Sequence, residues 1–166
     1  EAVAKYREMF TVDGRYSAPQ YMNAAEALLE SKEYPLALQG FEKVLDDAKE
    51  ISLQSSALIG KAKALLGQKK YAAARKVLDD FIKDEKLSKL LLVVDARMLL
   101  AEAASEEGKT EADNDLRKDL FNQAVDSLKV VEGYRTNETD KVEIRLATGD
   151  LLVRKMEAEE KLGLKE

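Results

Sequence analysis

The chain has 166 residues, 45% of them hydrophobic and 36% charged, enough apolar material for an extensive core and too much for wholesale disorder. A net charge of −5 supplies no basic field to offset phosphate repulsion, which argues against DNA or RNA as a direct partner and for protein. Cysteine and histidine are both absent, which removes disulfides, thiolate and imidazole catalysis and nearly all zinc and iron sites.

No run approaches the 18 to 20 apolar residues that cross a bilayer, and the start has no charged segment leading into an apolar signal region. In chain order, the opening EAVAKYREMF places Ala2, Tyr6, Met9 and Phe10 at the spacing of Ala37, Phe41, Val44 and Leu45. It reads as the second helix of a hairpin whose first helix is missing (half repeat, 1–12), as in a piece of a larger protein. After a turn at Asp13-Gly14, Ser17 and Gln20 form a capping-box pattern with Pro19 in the first turn. A helix is predicted from there to about Ser31. A second, with Pro35 near its start, carries Ala37, Phe41, Val44 and Leu45 on one face and ends near Lys49.

The same text then recurs 37 residues on: Tyr34, Ala37, Phe41, Val44 becomes Tyr71, Ala74, Leu78, Phe81, while Ala25 and Leu28 become Ala62 and Leu65. A period of this length signals stacked supersecondary units, here helical hairpins. The first two units cover about 17–50 and 55–86, the second with its turn at Gly67 to Lys70. In the third, about 90–133, Ala124 follows Ala101 by 23 residues, against 12 from Ala25 to Ala37, so eleven residues are inserted. Three helical turns take about 10.8 residues. The expectation is a second helix lengthened at its start, with Phe121, Ala124, Leu128 and Val131 facing the core; a polar loop in GKTEADND is the alternative. A long last helix, about 139–163, shows Val142, Leu146, Leu152 and Met156 and ends at Gly163. KLGLKE resembles another hairpin turn, so the array is read as three repeats with a half repeat at each end.

These residues resemble the tetratricopeptide repeat family: the small residues Ala25, Ala62, Ala101 on the first helices and Ala37, Ala74, Ala124 on the second, with Phe41, Leu78 and Leu128 as the bulky row. The resemblance covers most of the chain and implies one all-α domain over 1–166, a right-handed superhelical solenoid of antiparallel hairpins. The pattern departs in its long spacings, in Arg97 where Tyr21 and Leu58 are apolar, and in the absence of the closing proline. Those spacings are closer in style to bacterial envelope-associated members, which implies a periplasmic location, with the cytoplasm as alternative; HEAT-like hairpins are the other fold reading.

The family's binding surface is a concave face lined by the first helix of each hairpin, and the resemblance implies a partner-binding set of Met22, Asn23, Glu26, Leu29, Ile59, Lys63, Leu66, Met98, Glu102 and Ser105. Met22 and Glu26 stand where family members that grip a terminal carboxylate carry amide and cationic donors, so the expected ligand is an apolar or amphipathic protein segment. The opposing reading makes Met22, Ile59 and Met98 plain packing residues. The carboxylate pairs Asp46-Asp47, Asp79-Asp80, Glu106-Glu107 and Glu159-Glu160 read as solvated faces. The acidic run Glu111, Asp113, Asp115, Asp119 lacks the glycine and terminal glutamate of a calcium loop. Gly60-Lys61 lies mid-helix without a phosphate loop, and Lys69, Lys70, Lys83, Lys86 and Lys89 read as solvated turns. No catalytic residue, cofactor or metal is expected: the chain reads as a non-catalytic scaffold, or as an assembly element whose open terminal half repeats stack on other repeats or copies.

Overall fold

The structure, a computed structural model, describes residues 2–10 and 16–163. The described residues contain eight α-helices and no strand: α1 (Ala2–Glu8), α2 (Ala18–Glu30), α3 (Tyr34–Asp47), α4 (Ile51–Gly67), α5 (Tyr71–Lys83), α6 (Leu92–Thr110), α7 (Asn114–Tyr134) and α8 (Glu138–Gly163), with a 3-10 turn at Leu87–Lys89. The all-helical expectation holds. The turn expected at Asp13-Gly14 and the end of the opening half repeat lie outside the described residues. Contacts divide the chain into two compact units, Glu1–Val93 and Val94–Glu166, with the boundary in the first turn of α6.

In the first unit each helix packs on the next, α1 on α2 through α4 on α5, and α2 also meets α4. Local chemistry starts these helices. At α2 the capping box forms: the Ser17 backbone N–H donates to Gln20 Oε1 at 2.9 Å, and Pro19 sits where no intrahelical donor is needed. Pro35 plays the same part at α3. The apolar stripes then bury Ala25, Leu28, Ala37, Phe41 and Val44 in one core, with Tyr6, Met9 and Phe10 packed at its edge. Met9 and Phe10 lie just past α1, so the opening helix is shorter than its apolar spacing suggests.

The two hairpin turns of this unit are copies of each other. Lys32 and Lys69, 37 residues apart, hold left-handed backbone with φ of 61° and 58°. Glu33 N–H donates to Leu28 O at 2.8 Å and Lys32 N–H to Leu29 O at 3.0 Å; Lys70 to Leu65 O at 2.9 Å and Lys69 to Leu66 O at 2.8 Å repeat the pair. This is the Schellman arrangement, which satisfies carbonyls that a helix end leaves open. It normally takes glycine at the left-handed residue, because a Cβ there is crowded.

Neighbouring helices approach at positions without a side chain. A Cβ added at Gly60 would stand 2.3 Å from the Phe41 ring, one at Gly67 2.3 Å from the Tyr34 ring, and one at Gly40 2.7 Å from Ala25 Cβ. The aromatic of one helix thus occupies the volume a larger residue would need on the next.

The second unit packs α6, α7 and α8 around Ala101, Ala104, Phe121, Ala124, Val125, Leu128, Val131, Ile144 and Leu151. Gly108 repeats the arrangement: a Cβ added there would stand 2.9 Å from the Phe121 ring. The eleven inserted residues are shared between two helices, which corrects the expectation that only the second helix grows. Measured from Ala62 and Ala101, α6 runs four residues further than α4; measured from Ala74 and Ala124, α7 starts seven residues earlier than α5. The linker keeps three residues, 111–113, as in 31–33 and 68–70. Its closure differs: Glu111 Oε1 accepts from the Ala112 and Asp113 amides at 2.8 and 3.0 Å, and Asp113 caps α7 by accepting from Leu116 N–H at 2.9 Å.

Lys69→Gly relieves the left-handed strain and is expected to raise unfolding stability by about 0.5 to 1 kcal/mol in urea titration. Gly60→Ala gains about 1 kcal/mol of helix propensity but drives a methyl into a fully buried ring. Overpacking costs about 1 to 3 kcal/mol, so the expected net result is a lower urea midpoint; an unchanged or higher midpoint would contradict the close approach.

Candidate functional site

The residues expected to line a binding face fall into two sets, one on each unit. On the first unit, α2 and α4 lie side by side and carry Met22, Asn23, Glu26, Leu29 and Ile59, Lys63, Leu66. Met22 is 7% exposed and belongs to the core, packed with Tyr21, Ala25 and Leu28 in the same cluster; Ile59 is 5% exposed. Packing therefore accounts for both side chains, and neither offers an apolar surface to a partner. Asn23, Glu26 and Lys63 are exposed, with Leu29 and Leu66 half-buried between solvent and core. The accessible part of this face is polar and carries both charges. Sequence spacing puts these residues on helices, here α2 and α4, and leaves open their rotation toward the interior.

On the second unit, Met98 is 40% exposed with Arg135 Nη2 at 3.6 Å from its sulfur, Glu102 is exposed and Ser105 half-buried. Arg97, the residue that departs from the apolar pattern, is half-buried, and its Nε is enclosed without a hydrogen-bond partner.

The acidic run of the third hairpin is occupied with turn chemistry. Glu111 and Asp113 hold the backbone as described, and Asp115 lies 3.9 Å from Lys118. Among the described residues no group of three or more acidic side chains is placed to hold a metal ion. The paired carboxylates are exposed or half-buried; Glu106 pairs with Lys109, and Glu159 lies 3.7 Å from Lys155. Lys69, Lys70, Lys83, Lys86 and Lys89 are all exposed. Beside them Asp84 organises the 3-10 turn by accepting from the Leu87 and Lys86 amides at 2.9 and 2.8 Å, which holds its carboxyl below the ordinary value.

Two features escaped the sequence. One is a cavity of about 220 Å³ in the second unit, lined by Gly108, Lys109, Arg117, Phe121, Arg154 and Ala158 with Glu157. Its cations have partners: Lys109 has Glu106, Arg117 donates to Glu111 O and, at 2.9 Å, to Asn114 Oδ1, and Arg154 donates to Asp150 at 2.8 Å. The other is the two-sidedness of α8. Its buried row is Ile144, Leu151, Ala158, seven residues apart, whereas Val142, Leu146, Leu152 and Met156, the apolar row read from the sequence, are exposed. The seven-residue row was hidden because both faces of the helix are apolar and a single periodic stripe does not emerge.

No helix among the described residues is long and apolar enough to cross a membrane. No protein-family model, curated protein or solved structure matches the chain.

Ile59→Asp would bury an unpaired charge and is expected to lower stability by roughly 3 to 5 kcal/mol in denaturant titration. A stable Ile59→Asp protein would mean that the side chain faces solvent.

Proposed function

We propose that the chain is a non-catalytic protein-binding scaffold built from tetratricopeptide-like hairpins wound into a right-handed solenoid. The observation that best supports the array is the duplicated turn. Residues 37 apart adopt the same left-handed conformation and the same pair of helix-closing hydrogen bonds, even though lysine is a poor residue for that conformation. Sequential packing of α1 to α5 agrees with units that touch only their neighbours. The binding surface proposed for the first unit is the exposed strip of Asn23, Glu26 and Lys63 with the flanks of Leu29 and Leu66. An amphipathic segment fits it, with the charges setting register and the half-buried leucines supplying apolar contact.

A second reading, assembly through the outer face of α8, is favoured by one observation: Val142, Leu146, Val153 and Met156 of α8 are between 49% and 71% exposed. A monomeric protein seldom leaves so continuous an apolar row to water.

The test is affinity capture from the source organism's lysate, membrane fraction included, with wild type beside Glu26→Lys/Lys63→Glu. That pair reverses both exposed charges and leaves the net charge unchanged. Proteins held by wild type are expected to be lost or reduced at least about tenfold by the swap, the scale of a 1.4 kcal/mol change. An identical captured set would remove this face from consideration.

A further inference from the structure

The exposed row of α8 has the geometry of a seam. Val142, Leu146, Gly149, Val153 and Met156 are separated by alternating steps of four and three residues, the spacing at which one helix keeps contact with another laid along it. The row spans about 21 Å at 1.5 Å per residue. It lies opposite Ile144, Leu151 and Ala158, the row buried in the core of the second unit. Gly149, at its centre, has nothing within 4 Å of an added Cβ, so the seam carries an open notch between Leu146 and Val153.

The flanks of the seam identify what would lie on it. One flank is Glu143, Asp150 and Glu157, acidic at every seventh residue and exposed throughout; Asp150 accepts from Arg154 at 2.8 Å, so Glu143 and Glu157 carry the acidity of this flank. The other is Arg145, Leu152 and Glu159, also exposed. Arg145 is bound to Glu132 of α7 at 2.6 Å, which removes the one cation of that flank from the seam's charge pattern. A second copy of α8 is a poor occupant. Laid antiparallel, it sets Glu143 against Glu157 at both ends of the contact; laid parallel, it sets Gly149 against Gly149 and leaves a hole in mid-seam. An anionic lipid surface is repelled by the same acidic flank.

We propose that the α8 face is a docking site for an amphipathic helix with a Leu- or Ile-rich seam, a large apolar residue for the Gly149 notch, and Lys or Arg along the edge that meets Glu143 and Glu157. The inference rests on the assembly reading above and supplies the chemistry of the partner. Apolar burial along the seam provides affinity, and the acidic row selects a basic partner and its direction.

The probe is a fluorescein-labelled 21-residue helical peptide with Leu at both seam positions of each heptad and Lys at both flanking positions, beside a counterpart with Glu at the flanks. Anisotropy titrations use the full chain. The Lys peptide is expected to bind at least tenfold more tightly than the Glu peptide. Leu146→Glu and Val153→Glu, at exposed sites that leave helical circular dichroism intact, are expected to weaken the Lys peptide at least tenfold. General attraction of a cationic peptide to an acidic protein would instead increase with Leu146→Glu, so the direction of change separates the two. Glu143→Lys/Glu157→Lys is expected to reverse the preference, and Glu26→Lys/Lys63→Glu to leave it unchanged. Equal affinity for the two peptides, lost in Leu146→Glu, would overturn the basic partner and leave assembly through α8 standing. Affinity indifferent to Leu146→Glu and Val153→Glu would overturn docking on this face. A concentration-dependent dimer abolished by Leu146→Glu would make a second copy the occupant and overturn the proposal.

Discussion

The constraint on which the helices of each unit depend is the absence of a side chain where an aromatic ring arrives. Phe41 needs Gly60, Tyr34 needs Gly67, and Phe121 needs Gly108. Each pair lets two helices approach closely enough for the alanines beside them to become core residues with no exposure at all, as Ala25, Ala37, Ala62 and Ala74 are. A chain with ten aromatics and many alanines has few large side chains to fill space between helices. It reaches interior density by drawing the helices together instead. Glycine is costly inside a helix, and at Gly60 and Gly108 the volume of the ring opposite accounts for it.

Much of this was legible from residues alone. The 37-residue offset marks the first two hairpins, Ser17 with Gln20 marks the start of α2, and Pro35 the start of α3. The stripe Ala74, Leu78, Phe81 identifies the buried side of α5. The left-handed lysines were not legible, because the residue type gives no warning of the conformation; it is imposed by the hydrogen bonds that close the turn. The candidate binding face was legible as a set of helices and not as a surface. Met22 and Ile59 were correctly assigned to α2 and α4, but a helix flanked on two sides buries more than one stripe, and periodicity does not tell which stripe meets solvent. On α8 the difficulty is reversed. One apolar row was read where there are two, and the less obvious of them, Ile144, Leu151, Ala158, is the one that packs.

Charged residues in this chain largely serve local structure. Glu111 and Asp113 close a linker, Asp84 holds a 3-10 turn, and Arg154, Lys141 and Lys155 pair along α8 at three- and four-residue spacing. Exposed pairs of this kind contribute little stability each, typically below about 1 kcal/mol. Their larger effect is to occupy charge that would otherwise be available to ligands, as with the three cations around the cavity of the second unit. What is left for recognition is charge placed beside exposed apolar surface, and α8 has that combination along its seam.

The third hairpin is longer than the others while its linker stays at three residues, because the added length entered as about one turn on α6 and two on α7. Hairpin length in such a chain is quantised. Increments of four, seven or eleven residues return each side chain to the face it had before, whereas two or five rotate everything beyond them by more than a third of a turn, exchanging interior for water. Length variation is thereby filtered by angle before it is filtered by composition, and a hairpin of this design can lengthen its arm in discrete steps without redesigning the core beneath it.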